Sequence, residues 1–294
     1  MRCSLSSAAL VVGLASVASG LTGSTAGRRV GGPRPAGGAT RGLAAGQDGA
    51  ACHGRPCVVF PGGGIFYYWQ AGAATYLAEN YDVSRLELVG ASAGALTSTL
   101  LACGVDFNAA TEEALRLSRA ANLWDRPLGL VGVWGSLLRT WLEEVLPADA
   151  HERLDDRVFL TVTAVPSLRQ ELVTTFRDKE DVVQANLAST HVPWLMDGKP
   201  YTKWRGRRVL DGSLWYFVRK SQRAVTVPPD VSPVYLDYGE HEEFMRGMQN
   251  GAFDLVDPEA LWVMMEAGYS YMQAQDQAGQ LLRPLDGLRL GRTA

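Results

Sequence analysis

Two short apolar runs, each ending in glycines and each followed by a helical pattern, constrain this chain most. Cys57-Val58-Val59-Phe60 is charge-free and β-branched, and Pro61-Gly62-Gly63-Gly64 breaks it. Ile65 to Tyr81 then reads as a helix. Leu86-Glu87-Leu88-Val89 reads as a second strand and runs into Gly90-Ala91-Ser92-Ala93-Gly94. Ala95 to Cys103 continues as an apolar helix that Gly104 can end. Strand, helix, strand, helix in about 50 residues predicts an α/β class with a parallel sheet. Val158 to Val165 reads as a further strand, Leu172 to Phe176 as its hairpin-like neighbour, and Lys179 to Ala188 as a helix. Val209-Leu210 is a strand end that meets the turn Asp211-Gly212-Ser213. A late helix opens with Asp257 as cap, Pro258 at its first position and Glu259 in its first turn.

The 294 residues are 47% hydrophobic and 20% charged, enough apolar material for a packed core. The net charge of -3 comes with no concentrated basic face, so a nucleic-acid partner is not expected. Met1 to Gln47 differs from the rest: it contains Arg2, Arg28, Arg29, Arg34 and Arg41 and no acid. Arg2, the apolar run Ala8 to Ala18 and the small-x-small Ser16-Val17-Ala18 read as a signal segment, too short to span a bilayer. Leu21 to Gln47 has transit-peptide composition, so a plastid or endomembrane destination is expected; a disordered tail is the other reading. The expected organisation is a targeting segment at 1–47, an α/β domain at 55–225 and a helical extension at 226–294. Cys3, Cys52, Cys57 and Cys103 give neither a disulfide framework nor a metal-ligand spacing, and no metal or cofactor is expected.

Gly90-x-Ser92-x-Gly94 has the form of a nucleophile elbow. A serine on a sharp strand-to-helix turn needs very small neighbours. The turn lifts the hydroxyl above the sheet and sets it at a helix N-terminus, which favours developing negative charge. Gly62-Gly63-Gly64 lets backbone amides approach a ligand closely. No Lys-Ser/Thr follows, which disfavours a nucleotide loop and favours an oxyanion hole beside the serine. The base is less obvious. Of His53, His151, His191 and His241, His241 follows Asp211 and fits the chain order serine, acid, histidine, but it reads as a solvated surface residue among glutamates. His191 reads equally as core or loop. The alternative is a carboxylate acting directly. Asp211, after an apolar strand end and before Gly212, would sit at the rim of the sheet, where burial raises its pKa toward the working range.

Together these residues resemble the patatin-like phospholipase family, and within it the branch containing adipose triglyceride lipase and adiponutrin. The likeness spans Val58 to Tyr216. It includes Phe60-Pro61-Gly62-Gly63-Gly64, the stretch Val89 to Leu96, and Val145 to Glu152. It continues in Phe176 to Asp181 with Ala185-Asn186, and ends with Asp211-Gly212. The resemblance implies a three-layer α/β/α fold with a mainly parallel central sheet. It implies Ser92 as nucleophile, Asp211 as general base in a dyad without histidine, and Gly62, Gly63 and Gly64 as oxyanion hole, with Gly90 and Gly94 shaping the elbow. The implied reaction is hydrolysis of fatty acyl esters of glycerolipids (phospholipid, galactolipid or triacylglycerol) at a membrane or lipid-droplet surface. Two positions depart from the family pattern: Tyr67 stands where the last glycine of G-x-G-x-x-G is usual, and Ser213 replaces Gly or Ala after Asp-Gly. Ser213 is small enough to keep the turn, and its hydroxyl can bond Asp211. These departures are the support for a second reading, a weakly active or inactive lipid-binding protein on the same fold.

Leu128 to Leu138 is charge-free between Arg126 and Arg139, with Trp124, Trp134 and Trp141 nearby. It reads either as a lipid-facing flap or as a buried helix and loop. Lys203, Arg205, Arg207 and Arg208 read as a solvated loop or as a contact for headgroup phosphates.

Overall fold

The computed structural model describes residues 55–215, 225–228, 233–248, 250–279 and 282–291. The targeting reading of residues 1–47 lies outside them. The first strand, β1 (Cys57–Phe60), and the second, β2 (Glu87–Ala91), flank helix α1 (Tyr67–Asn80). Helix α2 (Ala93–Cys103) follows β2 directly and ends at Gly104 in the left-handed conformation, φ 67°. That conformation satisfies the last carbonyls at no steric cost only for glycine. After α3 (Phe107–Ala120), α4 (Trp134–Val145) and α5 (Ala150–Leu154) the chain returns to the sheet as β3 (Val158–Ala164). Then come β4 (Gln170–Val173), α6 (Lys179–Ser189) and the hairpin β5 (Thr202–Trp204) and β6 (Arg207–Asp211). Then come β7 (Val234–Tyr235), α7 (Glu242–Gly247) and α8 (Pro258–Ala278), followed by a 3-10 helix over Arg283–Leu288.

The strands form one sheet in the order β5-β6-β3-β2-β1-β7, with β4 also paired to β3. The middle, β7-β1-β2-β3, is parallel, and the antiparallel strands join at β3. Helices flank this mostly parallel centre, as expected. Alternation along the strands separates two cores. Val58, Phe60, Leu88, Leu160 and Val162 face a large core shared with the helices, while Val59, Val89, Ala91 and Phe159 face a smaller one completed by Val225.

Several expected elements are displaced. The hairpin neighbour of β3 begins at Gln170, two residues before the predicted Leu172. The predicted helix from Ile65 begins as a 3-10 turn over Gly64–Phe66. Residues 226–294, read as a helical extension, contain α8 and also supply β7, which pairs with β1 inside the sheet. Helix α8 packs directly on α1. A Cβ on Gly72 would lie 1.8 Å from the Met265 carbonyl oxygen, and one on Gly268 would lie 1.9 Å from that of Trp69. The two helices cross backbone to backbone, which only glycine permits there. His241, read as solvated, is instead half-buried: its Nδ1 accepts the indole N–H of Trp69 at 3.1 Å, and Phe244 and Tyr271 flank its ring.

Candidate active site

Sheet register sets the site. Ala91 of β2 pairs with Thr161, and Val162 of β3 pairs with Asp211. Ser92, one residue past Ala91, is therefore level with Asp211 two strands away. Ser92 Oγ donates a 2.7 Å hydrogen bond to Asp211 Oδ2. Both side chains are buried, at 6% and 2% exposure.

The elbow is strained where the sequence required it. Ser92 has φ 55°, ψ -121°, a backbone conformation that costs roughly 1–3 kcal/mol for a non-glycine residue. Its neighbours have no room for a side chain. A Cβ on Gly90 would lie 2.3 Å from the Gly94 carbonyl oxygen, and one on Gly94 would lie 1.8 Å from that of Phe60. The glycine loop lies against the serine: a Cβ on Gly62 would be 3.3 Å from Ser92 Cβ and 2.3 Å from Ser213 Oγ. Gly64 holds φ 58°. Among the described residues, the amides of Gly62, Gly63 and Gly64 have no hydrogen-bond partner.

Asp211 is oriented from three sides. Ser213 donates to its Oδ1 through Oγ at 2.5 Å and through its backbone N–H at 2.7 Å. Its own backbone N–H donates to the His191 carbonyl at 2.9 Å, and its carbonyl accepts from Thr163 Oγ1 at 2.8 Å. Burial pushes the carboxyl above the ordinary carboxylate range, while hydrogen bonds from Ser213 and Ser92 pull it back. The departure at Ser213 thus places a second hydroxyl on the carboxylate.

Two residues that pattern reading missed hold the parts together. Gln70 Nε2 donates to the Pro61 carbonyl at 2.6 Å, and its Oε1 accepts from Thr97 Oγ1 at 3.1 Å, so α1 pins the glycine loop to α2. Ser189 Oγ accepts the Ser92 N–H at 3.0 Å and donates to the Thr161 carbonyl at 2.7 Å. Among the described residues, no histidine joins the dyad. His241 is bound to Trp69, and the buried Nε2 of His191 has no partner among the described residues. Among the described residues no cluster of His, Cys, Asp or Glu is arranged to hold a metal.

Ser92 opens onto an apolar cleft of about 1100 Å³, open mouth included. Its walls include Leu96, Leu138, Trp141, Val192 and Leu261. The run Leu128 to Leu138 is divided: Leu130, Trp134, Leu137 and Leu138 line the cleft, whereas Leu128 is 65% exposed. Backbone bonds from Gly132 N–H to the Leu195 carbonyl and from Gly135 N–H to that of Met196 tie this run to the loop carrying Trp194, itself 47% exposed. The basic cluster is largely occupied. Arg205 bonds the buried Asp181 at 2.5 Å and Arg207 bonds Glu171 at 2.6 Å. Burial alone would raise Asp181, but Arg205 and Arg177 hold it down to about 2.

The site therefore sets a strained serine beside a buried carboxylate, next to loop amides that are unpartnered among the described residues and at the wall of an apolar cleft. The patatin-like phospholipase family matches residues 58–218, and the chain belongs to that family. It is 31% identical over 163 residues to patatin-like phospholipase domain-containing protein 2 of Mus musculus, covering 53% of this chain and 33% of that protein. Omega-hydroxyceramide transacylase of Mus musculus is 29% identical over 164 residues, 53% of this chain and 26% of its own. The mouse 1-acylglycerol-3-phosphate O-acyltransferase Pnpla3 is 29% identical over 189 residues, 62% and 44% respectively. The alignment thus spans about a third of the length of the first of these relatives.

Proposed function

We propose that this chain is a lipid acyl hydrolase in which Ser92 is the nucleophile and Asp211 its general base. The observation that carries the proposal is the 2.7 Å bond between these side chains at the wall of the apolar cleft. Asp211 takes the Ser92 proton as Oγ attacks the ester carbonyl of a chain lying in the cleft. Amides of Gly62 to Gly64 hold the oxyanion; each donor of this kind is worth about 3 kcal/mol of barrier. The proton passes to the leaving alkoxide and the acyl group stays on Ser92. Asp211 then takes a proton from water as its oxygen attacks the acyl-enzyme, and returns that proton to Ser92 Oγ as the fatty acid leaves. Desolvation of Asp211 supports a direct carboxylate base, because it brings the pKa nearer the working pH. The intact hydrogen-bonded pair argues against an inactive lipid-binding role.

The substrate class that fits the cleft is a glycerolipid ester, met at a membrane or lipid-droplet surface. Exposed Leu128 and Trp194, on tied loops beside the cleft, are the proposed contact with that surface. Among the described residues no helix is long and apolar enough to cross a membrane. The relatives named as a transacylase and an acyltransferase make a lipid hydroxyl the alternative acceptor to water. Purified protein given phospholipid, galactolipid and triacylglycerol tests the proposal: free fatty acid is expected, with Ser92→Ala inactive yet folded. A new ester in place of fatty acid would move the assignment to acyl transfer, and full activity of Ser92→Ala would end it. Delivery to a plastid or endomembrane compartment by residues 1–47 is proposed on composition, and a fluorescent fusion of that segment staying in the cytosol would refute it.

A further inference from the structure

One wall of the cleft comes from beyond the family match at 58–218: Ala252, Phe253, Asp254, Leu255 and Val256 all line it. This segment is fixed at the ester end. The Ile65 N–H donates to the Ala252 carbonyl at 2.7 Å, and a Cβ on Gly64 would lie 2.0 Å from the same oxygen. Farther along, the Trp124 indole donates to the Val256 carbonyl at 2.9 Å. Asp254 lies between these two ties. Its N–H donates to the Gly251 carbonyl at 3.1 Å, and its Oδ2 accepts the Gly251 N–H at 2.8 Å. This turn folds the carboxylate back toward Ala252, no more than about 12 Å from the Ile65 amide beside the glycine loop.

Asp254 is half-buried, and among the described residues it carries the one charged side chain that lines the cleft. It has no ion-pair partner among the described residues. Arg126, two residues past Trp124, turns its guanidinium to the carbonyls of Gly129 and Val131 instead. Between Arg246 and Arg283 the chain contains no Lys, Arg or His. The segment therefore brings an uncompensated negative charge to the end of the cleft where the leaving alcohol departs, and apolar walls carry its field with little screening. On the reading of Ser92 as nucleophile, we infer that Asp254 selects the leaving group: it favours esters whose alcohol carries a cationic group and disfavours those whose alcohol is anionic. The effect acts through the field and needs no contact. Across about 12 Å, at an effective dielectric of about 20 to 40, one unit charge is favoured or disfavoured by about 3- to 10-fold.

The test uses three decanoate esters that share an acyl chain and differ in leaving group: choline, its neutral isostere 3,3-dimethylbutyl, and the anionic 2-sulfoethyl. Comparing each ester between wild type and Asp254→Asn cancels their differences in intrinsic reactivity. Asparagine keeps an acceptor for the Gly251 N–H, so the turn is preserved. At about 10 mM ionic strength, Asp254→Asn should lower kcat/KM for the choline ester by about 3- to 10-fold relative to the neutral ester. It should raise that for the sulfoethyl ester by the same factor. In the wild type alone, about 1 M salt should shrink the preference for choline over sulfoethyl. Ratios that do not change in Asp254→Asn, or do not respond to salt, overturn the inference. So does an equal change in Asp257→Asn, an exposed acid outside the cleft lining whose side chain makes no cap bond to α8. If the wild type cleaves none of the three esters, the reaction assignment fails, and calorimetry in a Ser92→Ala background then decides Asp254. Decanoylcholine should bind about 3- to 10-fold more weakly once Asp254→Asn is added, and equal binding overturns the inference.

Discussion

Ser213→Ala isolates the second hydroxyl on the candidate base. In the native site Oδ1 of Asp211 accepts from Ser213 Oγ at 2.5 Å and from Ser213 N–H at 2.7 Å, while Oδ2 accepts from Ser92. The substitution removes one of these three bonds, keeps the backbone bond and adds no bulk. A hydrogen bond to a charged group is worth about 1.5–3 kcal/mol, a factor of roughly 10 to 100 in the stability of the ionised carboxylate. The lost bond favours the ionised form, so Asp211 becomes harder to ionise and its pKa, already raised by burial, rises further. Only the ionised carboxylate can take the Ser92 proton. The acid limb of kcat/KM must therefore move to higher pH, with activity on that limb falling by up to the same factor. Above the limb the rate should not fall, because a more basic carboxylate is the better proton acceptor. The assay is the pH profile of hydrolysis of a soluble acyl ester by wild type and variant, with melting curves to show both folded. An acid limb that stays in place or moves to lower pH would refute Asp211 as the base.

Other substitutions probe the fold and the surface. Asp211→Asn should melt higher than the wild type at neutral pH. The folded pKa lies above the unfolded one, so ionisation destabilises the native state as pH rises, and the advantage should vanish in acid; a lower neutral melting temperature would contradict it. Gly268→Ala sets a methyl group against the Trp69 carbonyl oxygen, and about 1–3 kcal/mol of stability should be lost in denaturant unfolding. An unchanged midpoint would deny the close crossing of α1 and α8. Leu128→Asp with Trp194→Asp should lower binding to phosphatidylcholine vesicles about 10-fold or more in a folded protein, from the apolar burial lost. Equal binding would remove these loops from the surface contact.

The candidate site was legible where its residues carry steric demands. Gly90 and Gly94 have no space for a Cβ, and Gly62 lies against Ser92 and Ser213, so the motif records the packing directly. Asp211 was legible as a strand end followed by Gly212, where a Cβ would lie 2.0 Å from the Thr161 carbonyl oxygen. Gln70 and Ser189 were not legible. Each is an ordinary polar residue on a helix, and its role exists only once α1 or α6 is docked. His241 misled for a related reason: its neighbours in sequence are acidic, whereas Trp69 and Tyr271 reach it from distant helices. The two-residue β7 is too short to show a periodicity of its own and is defined only by pairing with β1.

The most direct test is to mix the protein with an activated acyl ester, quench before turnover is complete and locate the adduct by mass spectrometry. An acyl group on Ser92, formed by the wild type, absent in Ser92→Ala and strongly slowed in Asp211→Asn, is the predicted result. An acyl group on another residue, or one formed at the same rate without the Asp211 carboxylate, would contradict the account.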